Sequence, residues 1–550
     1  MKFKIYTLAI SVIAILSTTK LSAQALPGVE WAQALGGTGS ETGTSIATDI
    51  EGNVYITGAY SASITLGTTT LTSNGGNDIF IAKVKSTGEV LWAKSFGGTA
   101  TGDDGRAVAI DPTGKLYLTG TYRGTVSFGT TTLTAAGTST TDIFVSRLNP
   151  VNGDVIWVQG FGGTTNANET VNGIAIDNND NVYITGIFGS PTVAFGSITL
   201  NNASTSNDIF VTKINSSGNI MWAKGYGSAA NENANAISSD ASGNTYITGI
   251  FNGPDVTFGT TTLTGISSNN DVFITKIDTA GNVVWAKAIG GTGSDNGYGI
   301  TADASGNVYA TGGFSDNLTV GSTTLTSLGG ADIYVVKYDV TGNPVWAKSY
   351  GGTGAEGGYK IALDSNGYIY NSGFYTGTIA FGATNLTSAG SNDVYLLKMN
   401  SSGNPVSAVS FGGTAMDVQP VQGNGIAINS DNIYVTGYFN AGAMFGNTTL
   451  TSLGSSDVFL VKLGTANLGV SSSQLIQSAI YPNPVTDSLF LKTNLLIDNV
   501  TILNTVGQQV IKHAVIKNEK LDVSHLPKGV YIVSIKYKNG QVSNHKIIKE

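Results

Sequence analysis

A carboxylate stands eight residues ahead of an aspartate six times along this chain: Glu41/Asp49, Asp103/Asp111, Glu169/Asp177, Glu232/Asp240, Asp295/Asp303 and Glu356/Asp364. A seventh occurrence opens the spacing to twelve and ends on an amide, Asp417/Asn429. Acidic oxygens in this number suit three kinds of work. They can accept hydrogen bonds from backbone N–H groups and so shape the glycine-rich segments beside them. They can surround a hard cation such as Ca2+, which needs oxygen ligands alone. Two of them can flank a glycosidic bond, which demands one of two carboxyl separations. Repetition at every step favours the first role, since a binding centre usually breaks such regularity. The cation reading takes Glu41, Asp103, Glu169, Glu232, Asp295, Glu356 and Asp417 as a ring of oxygen ligands.

Other chemistry is excluded by composition. The 550 residues contain no cysteine, and the three histidines, His513, His525 and His545, fall in the last 40 positions. Disulfides, thiolate metal sites and imidazole-dependent nucleophiles are therefore absent from the first 512 residues. No catalytic set and no cofactor-binding motif is expected, and the chain is read as a non-enzyme. Gly36–Gly39 (Gly-Gly-Thr-Gly) lacks the Lys-Ser/Thr and the helix of a phosphate loop. Asp177–Asn181 lacks the spaced glycine and closing glutamate of an EF-hand. Between residues 24 and 477, 16 Lys and Arg face 31 Asp and Glu, an acidic balance that argues against nucleic acid.

These carboxylates ride on a repeat of about 63 residues. Each repeat holds a Tyr-x-Thr-Gly-like segment (Tyr55, Tyr117, Tyr183, Tyr246, Tyr309, Tyr370, Tyr434) and an Asp-x-Phe/Tyr segment (Asp78, Asp142, Asp208, Asp271, Asp332, Asp393, Asp457). A Trp follows at 31, 92, 157, 222, 285 and 346, with Ser407 in the seventh place. Trp31 precedes the first Tyr and no equivalent follows Asp457, so the N-terminus holds the strand that the last repeat lacks. In the fifth repeat the expected strands are 299–303, 308–312, 332–337 and 344–347, with a short hairpin near 318–326. Recurrence assigns the Trp and Tyr rings to packing. It assigns Asp78 with Lys83, and Asp457 with Lys462, to turns and surface. The long inter-repeat loops share one face with the loops after the second strand, and this face is the expected recognition surface.

The repeat resembles the SBBP-type β-propeller family through Gly-Asn-Val-Tyr-x-Thr-Gly at 52–58 and 306–312, and at 243–249 with Thr245. The resemblance implies a propeller and no established catalytic activity. The fold expected is all-β: a seven-bladed β-propeller closed by an N-terminal strand, followed by a small C-terminal β-sandwich.

Residues 1–23 read as a cleavable signal peptide, with Lys2 and Lys4, an apolar run and Ser22-Ala23. The propeller is expected over 24–463, a linker over 464–477 and a sandwich over 478–550. The last segment carries 9 Lys and 5 acidic residues. It resembles the type A C-terminal sorting domain of the type IX secretion system of Gram-negative bacteria. The resemblance rests on Tyr481-Pro482-Asn483-Pro484, Asn504–Gly507, Leu521–Ser524, Gly529-Val530-Tyr531 and Lys546–Lys549. It implies recognition by the secretion machinery, with Pro482, Asn483, Pro484, Gly507, Gly529, Tyr531, Lys546 and Lys549 as sorting-signal residues. The expectation is a monomeric, secreted or outer-membrane-surface binding or scaffold protein. This adhesin-like module, with no transmembrane segment, recognises glycan or protein through its inter-blade loops. The alternative is a carbohydrate-active enzyme using loop carboxylates.

Overall fold

The computed structural model describes residues 25–137, 140–163, 167–202, 204–253, 255–415, 417, 425–464, 478–493, 496–504, 507–512, 520–538 and 542–550. The expected signal peptide, all of the expected linker but Gly464, and His513 lie outside these residues. Among them the chain is all-β, without a helix, and it divides into two compact units at 466/467.

The larger unit is a propeller-like stack of four-stranded antiparallel meanders. The first repeat pairs Glu41–Thr48, Val54–Tyr60, Asp78–Val84 and Val90–Gly98 in that order. Five further repeats copy it. In the last, Gly425–Asn429, Asn432–Phe439 and Asp457–Leu463 take Val29–Gly37 as their fourth strand. The register there runs Trp31↔Lys462, Ala32↔Val461, Gln33↔Leu460 and Ala34↔Phe459. In the fifth repeat the strands are Asp295–Ala302, Val308–Phe314, Asp332–Tyr338 and Pro344–Tyr350; the first starts four residues earlier than expected and stops one short, and the others run one to three residues further.

Burial follows position. The second and third strands are buried along their length, as in Val54–Tyr60 and Asp78–Val84. A strand covered on both faces carries branched and aromatic residues on both, which is why these segments read as nearly continuous apolar runs. Each apolar core lies between two successive sheets. One joins Ile46, Ile56 and Phe80 of the first repeat to Tyr434, Val458 and Leu460 of the last.

The expected hairpin is present as Asn317–Val320 with Thr323–Thr326. Its reach was not foreseen: six of the seven such hairpins pair with the end of the preceding repeat's fourth strand. The contacts are Gly37↔Ile64, Gly98↔Val126, Gly163↔Val193, Gly290↔Thr319, Gly352↔Ile379 and Gly413↔Ala443. A Cβ on Gly291 would stand 1.6 Å from Asn317 O, so only glycine admits the crossing backbone.

The rings lock neighbouring sheets, as recurrence implied. Trp92 lies 6.1 Å from Tyr55 and donates Nε1–H to Pro150 O of the next repeat at 3.2 Å. Trp31, Trp157, Trp222, Trp285 and Trp346 donate likewise to Ser86, Ser216, Thr279, Val340 and Ser401. Each acceptor sits in the hairpin between the next repeat's third and fourth strands. The last sheet has no such hairpin, because its third and fourth strands are chain segments far apart in sequence. Position 407 therefore faces no such hairpin, and Ser407 Oγ accepts Leu26 N–H at 2.7 Å.

The smaller unit has a three-stranded sheet, Ser478–Tyr481, Ser488–Thr493 and Lys520–Asp522, and a four-stranded sheet. The latter orders Gln509–Ile511, Ile497–Asn504, Gly529–Tyr537 and Val542–Lys549. They enclose Leu489, Leu491, Val500, Ile502, Val533, Ile535 and Ile547.

Candidate functional site

The two carboxylates of each eight-residue spacing sit at opposite ends of one strand. Glu41 opens Glu41–Thr48 and Asp49 follows it, so a strand rise puts them about 25 Å apart. Two carboxylates so placed lie well beyond the separations of about 5–10 Å that glycoside chemistry needs.

The second members shape the tight hairpins. Asp177 Oδ1 accepts N–H from Asn179 at 2.8 Å and Asn181 at 3.0 Å, and Tyr183 Oη donates to Asp177 Oδ2 at 2.8 Å. Asp49, Asp111, Asp240, Asp303 and Asp364 accept the same two backbone N–H groups. Asp177–Asn181 is therefore a hairpin with an Asx turn, as its composition suggested.

The first members are buried at the start of the first strand. Glu41, Asp103, Glu169, Glu232, Asp295, Glu356 and Asp417 are at most 1% exposed. Each accepts a hydrogen bond from its own incoming loop: Gly37 N–H to Glu41 Oε2 at 3.0 Å, Gly98 to Asp103 at 3.1 Å, Gly163 to Glu169 at 3.4 Å and Ser228 to Glu232 at 3.0 Å. Gly291 donates to Asp295 at 2.8 Å, Gly352 to Glu356 at 3.0 Å, and Gly413 to Asp417. The expected open ring of cation ligands is not formed. Each carboxylate faces its own loop, and among the described residues no three His, Cys, Asp or Glu side chains gather around a common point.

Their true neighbours are the Asp residues that open the third strands, which sequence had placed in turns and on the surface. Asp78 is 1% exposed and Asp457 fully buried. The partner lysines are also drawn in: Lys462 is 6% exposed, and Lys83 Nζ lies 5.1 Å from the centre of the Tyr55 ring. The signal missed was the glycine beside each Asp. A Cβ on Gly36 would lie 2.1 Å from Asp457 Cγ, and one on Gly97 2.0 Å from Asp78 Cγ. In each repeat the carboxylate packs against the bare Cα of one glycine at the end of a fourth strand, Gly227 serving Asp208 as Gly97 serves Asp78.

Seven acid pairs result, one at each sheet junction: Glu41/Asp457, Asp103/Asp78, Glu169/Asp142, Glu232/Asp208, Asp295/Asp271, Glu356/Asp332 and Asp417/Asp393. Burial pushes Glu41, Asp103, Glu232, Asp295, Glu356 and Asp417 up to about 7; the loop N–H bonds oppose it and the facing Asp reinforces it. Burial also pushes Asp332 up to about 6. In the Glu356/Asp332 pair one oxygen on each side, Oε1 and Oδ1, is buried without a hydrogen-bond partner. Two like charges in such a place favour holding a proton between them.

A cavity of about 270 Å3 lies on the tight-hairpin face between the first two repeats. Asp49, Glu51, Lys83 and Asp111 line it together with Ile50 and Val151; these last two are 78% and 79% exposed. The sequence pointed to the other face.

In the smaller unit Asn483 clamps the last strand: its Nδ2 donates to Lys546 O at 2.9 Å and its Oδ1 accepts Ile548 N–H at 2.8 Å. The flanking bonds before Pro482 and Pro484 are cis. Tyr531 Oη donates to Pro527 O at 2.9 Å. Gly507, at φ +80°, turns the chain after Asn504. Lys549 Nζ donates to Glu550 O at 2.7 Å, and Gly529 begins the strand that pairs with Lys549.

Residues 479–550 match the family model of the secretion system C-terminal sorting domain. Residues 30–59 match the beta-propeller repeat model, whose phase joins the Trp31 strand to the next two strands, as the chain itself begins. A curated relative is an uncharacterized WD repeat-containing protein of Acanthamoeba polyphaga mimivirus, 27% identical over 414 residues. The match spans 61% of this chain but 29% of that protein's length. Among solved structures, a quinohemoprotein alcohol dehydrogenase from Comamonas testosteroni aligns at TM-score 0.37 and 10% identity, over 83% of this chain and 79% of that one. A Synechocystis apocarotenoid oxygenase variant aligns at TM-score 0.35 and 10% identity, over 80% and 94%.

Proposed function

We propose that this chain, which carries propeller repeats and ends in a type IX sorting domain, is a secreted or cell-surface binding module without catalytic activity. In this reading seven blades close into a ring, and a glycan or protein is recognised by the inter-blade loop face. Closure is supported by the ladder between Val29–Gly37 and Asp457–Leu463 and by the core shared between the first and last repeats. The observation that carries the binding role is the fate of the inter-blade carboxylates. All seven are buried and bonded to loop backbone, so their chemistry fixes loops. The loops after the second strands expose Ile266, Leu328 and Leu453 at 54, 70 and 74%. Rigid loops with exposed apolar tips suit recognition better than bond cleavage.

The test is a glycan array and a cell-surface binding assay with the full chain, beside turnover assays on polysaccharides. Leu328→Asp with Leu453→Asp is expected to abolish binding, while Ile50→Asp with Val151→Asp, on the opposite face, leaves it intact. The reverse pattern transfers recognition to the tight-hairpin face. Polysaccharide cleavage lost in Glu356→Gln or Asp295→Asn would overturn the non-enzymatic reading.

A further inference from the structure

The first strand of every sheet bonds to one neighbour only, so its other edge faces the axis of the stack. Six of these strands carry a bulge, for example between Gly43 and Ser45 and between Gly358 and Lys360. The bulge residues tie successive sheets together: Asn172 Nδ2 donates to Ala234 O at 2.9 Å, and Asn235 Nδ2 to Gly297 O at 2.7 Å. The residue after the bulge pairs with the Thr or Ser of the Tyr-x-Thr-Gly segment and defines one level around the axis. That level reads Ser45, Ala107, Gly173, Ala236, Gly299, Lys360 and Gly425. Six are small and one is a lysine.

Small side chains leave a cavity of about 120 Å3 here, lined by Lys360, Arg106, Asn172 and Ser45 among others. Arg106 Nε is paired with Asp104 Oδ2 at 2.7 Å. Lys360 Nζ has neither an ion pair nor a hydrogen bond among the described residues. Glu356, four residues earlier, is occupied by Gly352 N–H and faces Asp332. Residues 418–424, outside the described set, contain no carboxylate. The surrounding residues are Val108, Ile174, Ile237, Ile300 and Ile361. Burial accordingly pulls the Lys360 ammonium below its ordinary value.

We propose that the axial cavity at Lys360 binds a small anion, of the size of chloride, phosphate or a short carboxylate. An ammonium without a counter-charge inside a low-dielectric channel is costly. The neighbouring Arg106 adds positive potential, and the inward edges of the first strands offer backbone polar groups. A bound anion completes a pair that the described residues leave open. The volume admits one such ion.

The experiment is thermal melting of the full chain at constant ionic strength, titrating chloride, phosphate or acetate against a weakly coordinating anion. The wild type is expected to show a saturable rise in Tm with at least one of the three. Lys360→Met should abolish that rise and melt above the wild type in anion-free buffer, because it removes an unpaired charge. Lys360→Arg, which keeps the charge, should retain the response. No saturable response from any of the three anions, or an equal response in Lys360→Met, would overturn the proposal.

Discussion

Replacing Glu356 by Gln tests the acid pairs with a change of one atom. The Gln keeps an oxygen for Gly352 N–H and offers N–H to the unpartnered Asp332 Oδ1, while removing the ionisable proton. In the wild type, burial lifts Glu356 from the ordinary 4.5 to about 7. A carboxylate raised by folding destabilises the fold wherever it is ionised in the unfolded chain but resisted in the folded one. Its penalty is absent below about pH 4, grows as pH rises to about 7 and is constant above. The rise is worth at most about 3 kcal/mol, and water entry around the opened pair reduces it to roughly 1–2 kcal/mol. Glu356→Gln should therefore match the wild type near pH 4.5 and exceed it by about that amount at pH 8. In a repeat unit of this size that is about 1–2 °C in Tm, so guanidinium titration at both pH values is the sharper assay. A variant more destabilised at pH 8 than at pH 4.5 would refute the reasoning, since it would mean the ionised carboxylate is the stabilising form.

The glycine contacts give a second comparison: Gly36→Ala drives a Cβ to 2.1 Å from Asp457 Cγ and should cost about 2–4 kcal/mol. Gly28→Ala, with nothing within 4 Å of its Cβ, should be neutral in the same melt. Ser407→Trp, which restores the repeat's consensus, should destabilise by about 1–3 kcal/mol, because no hairpin carbonyl waits for the indole and Leu26 is displaced; a gain in Tm would contradict the account of the seam. Deleting Ser478–Glu550 should leave the repeat unit's melting unchanged but hold the protein in the periplasm, read by fractionation; normal release to the medium would count against the role of the tail.

Repeat spacing was enough to place the strands, the short hairpins and the packing of the tryptophans, since each of these depends on local pattern. The out-of-phase Trp31 likewise announced its pairing with the strand after Asp457. What could not be read was which side chains meet across the sheet junctions. Glu41 meets Asp457 rather than Asp49, because a strand separates the near pair and a sheet junction joins the distant one. Asp78 and Lys83 looked like surface groups because charged residues usually are; the bare Cα of Gly97 makes room for one and the Tyr55 ring shelters the other. Lys360 gave no signal at all until its six small counterparts were brought to one level.

The ladder from Trp31 to Lys462 spans 431 residues, and it carries a consequence for folding. Nearly the whole repeat unit must be present before the Val29–Gly37 strand can pair with Asp457–Leu463, so this sheet is completed last. Until then two sheet edges stand bare, open to pairing with another copy. Closing that seam is the longest-range step in folding the repeat unit, and the place where a second copy would intrude.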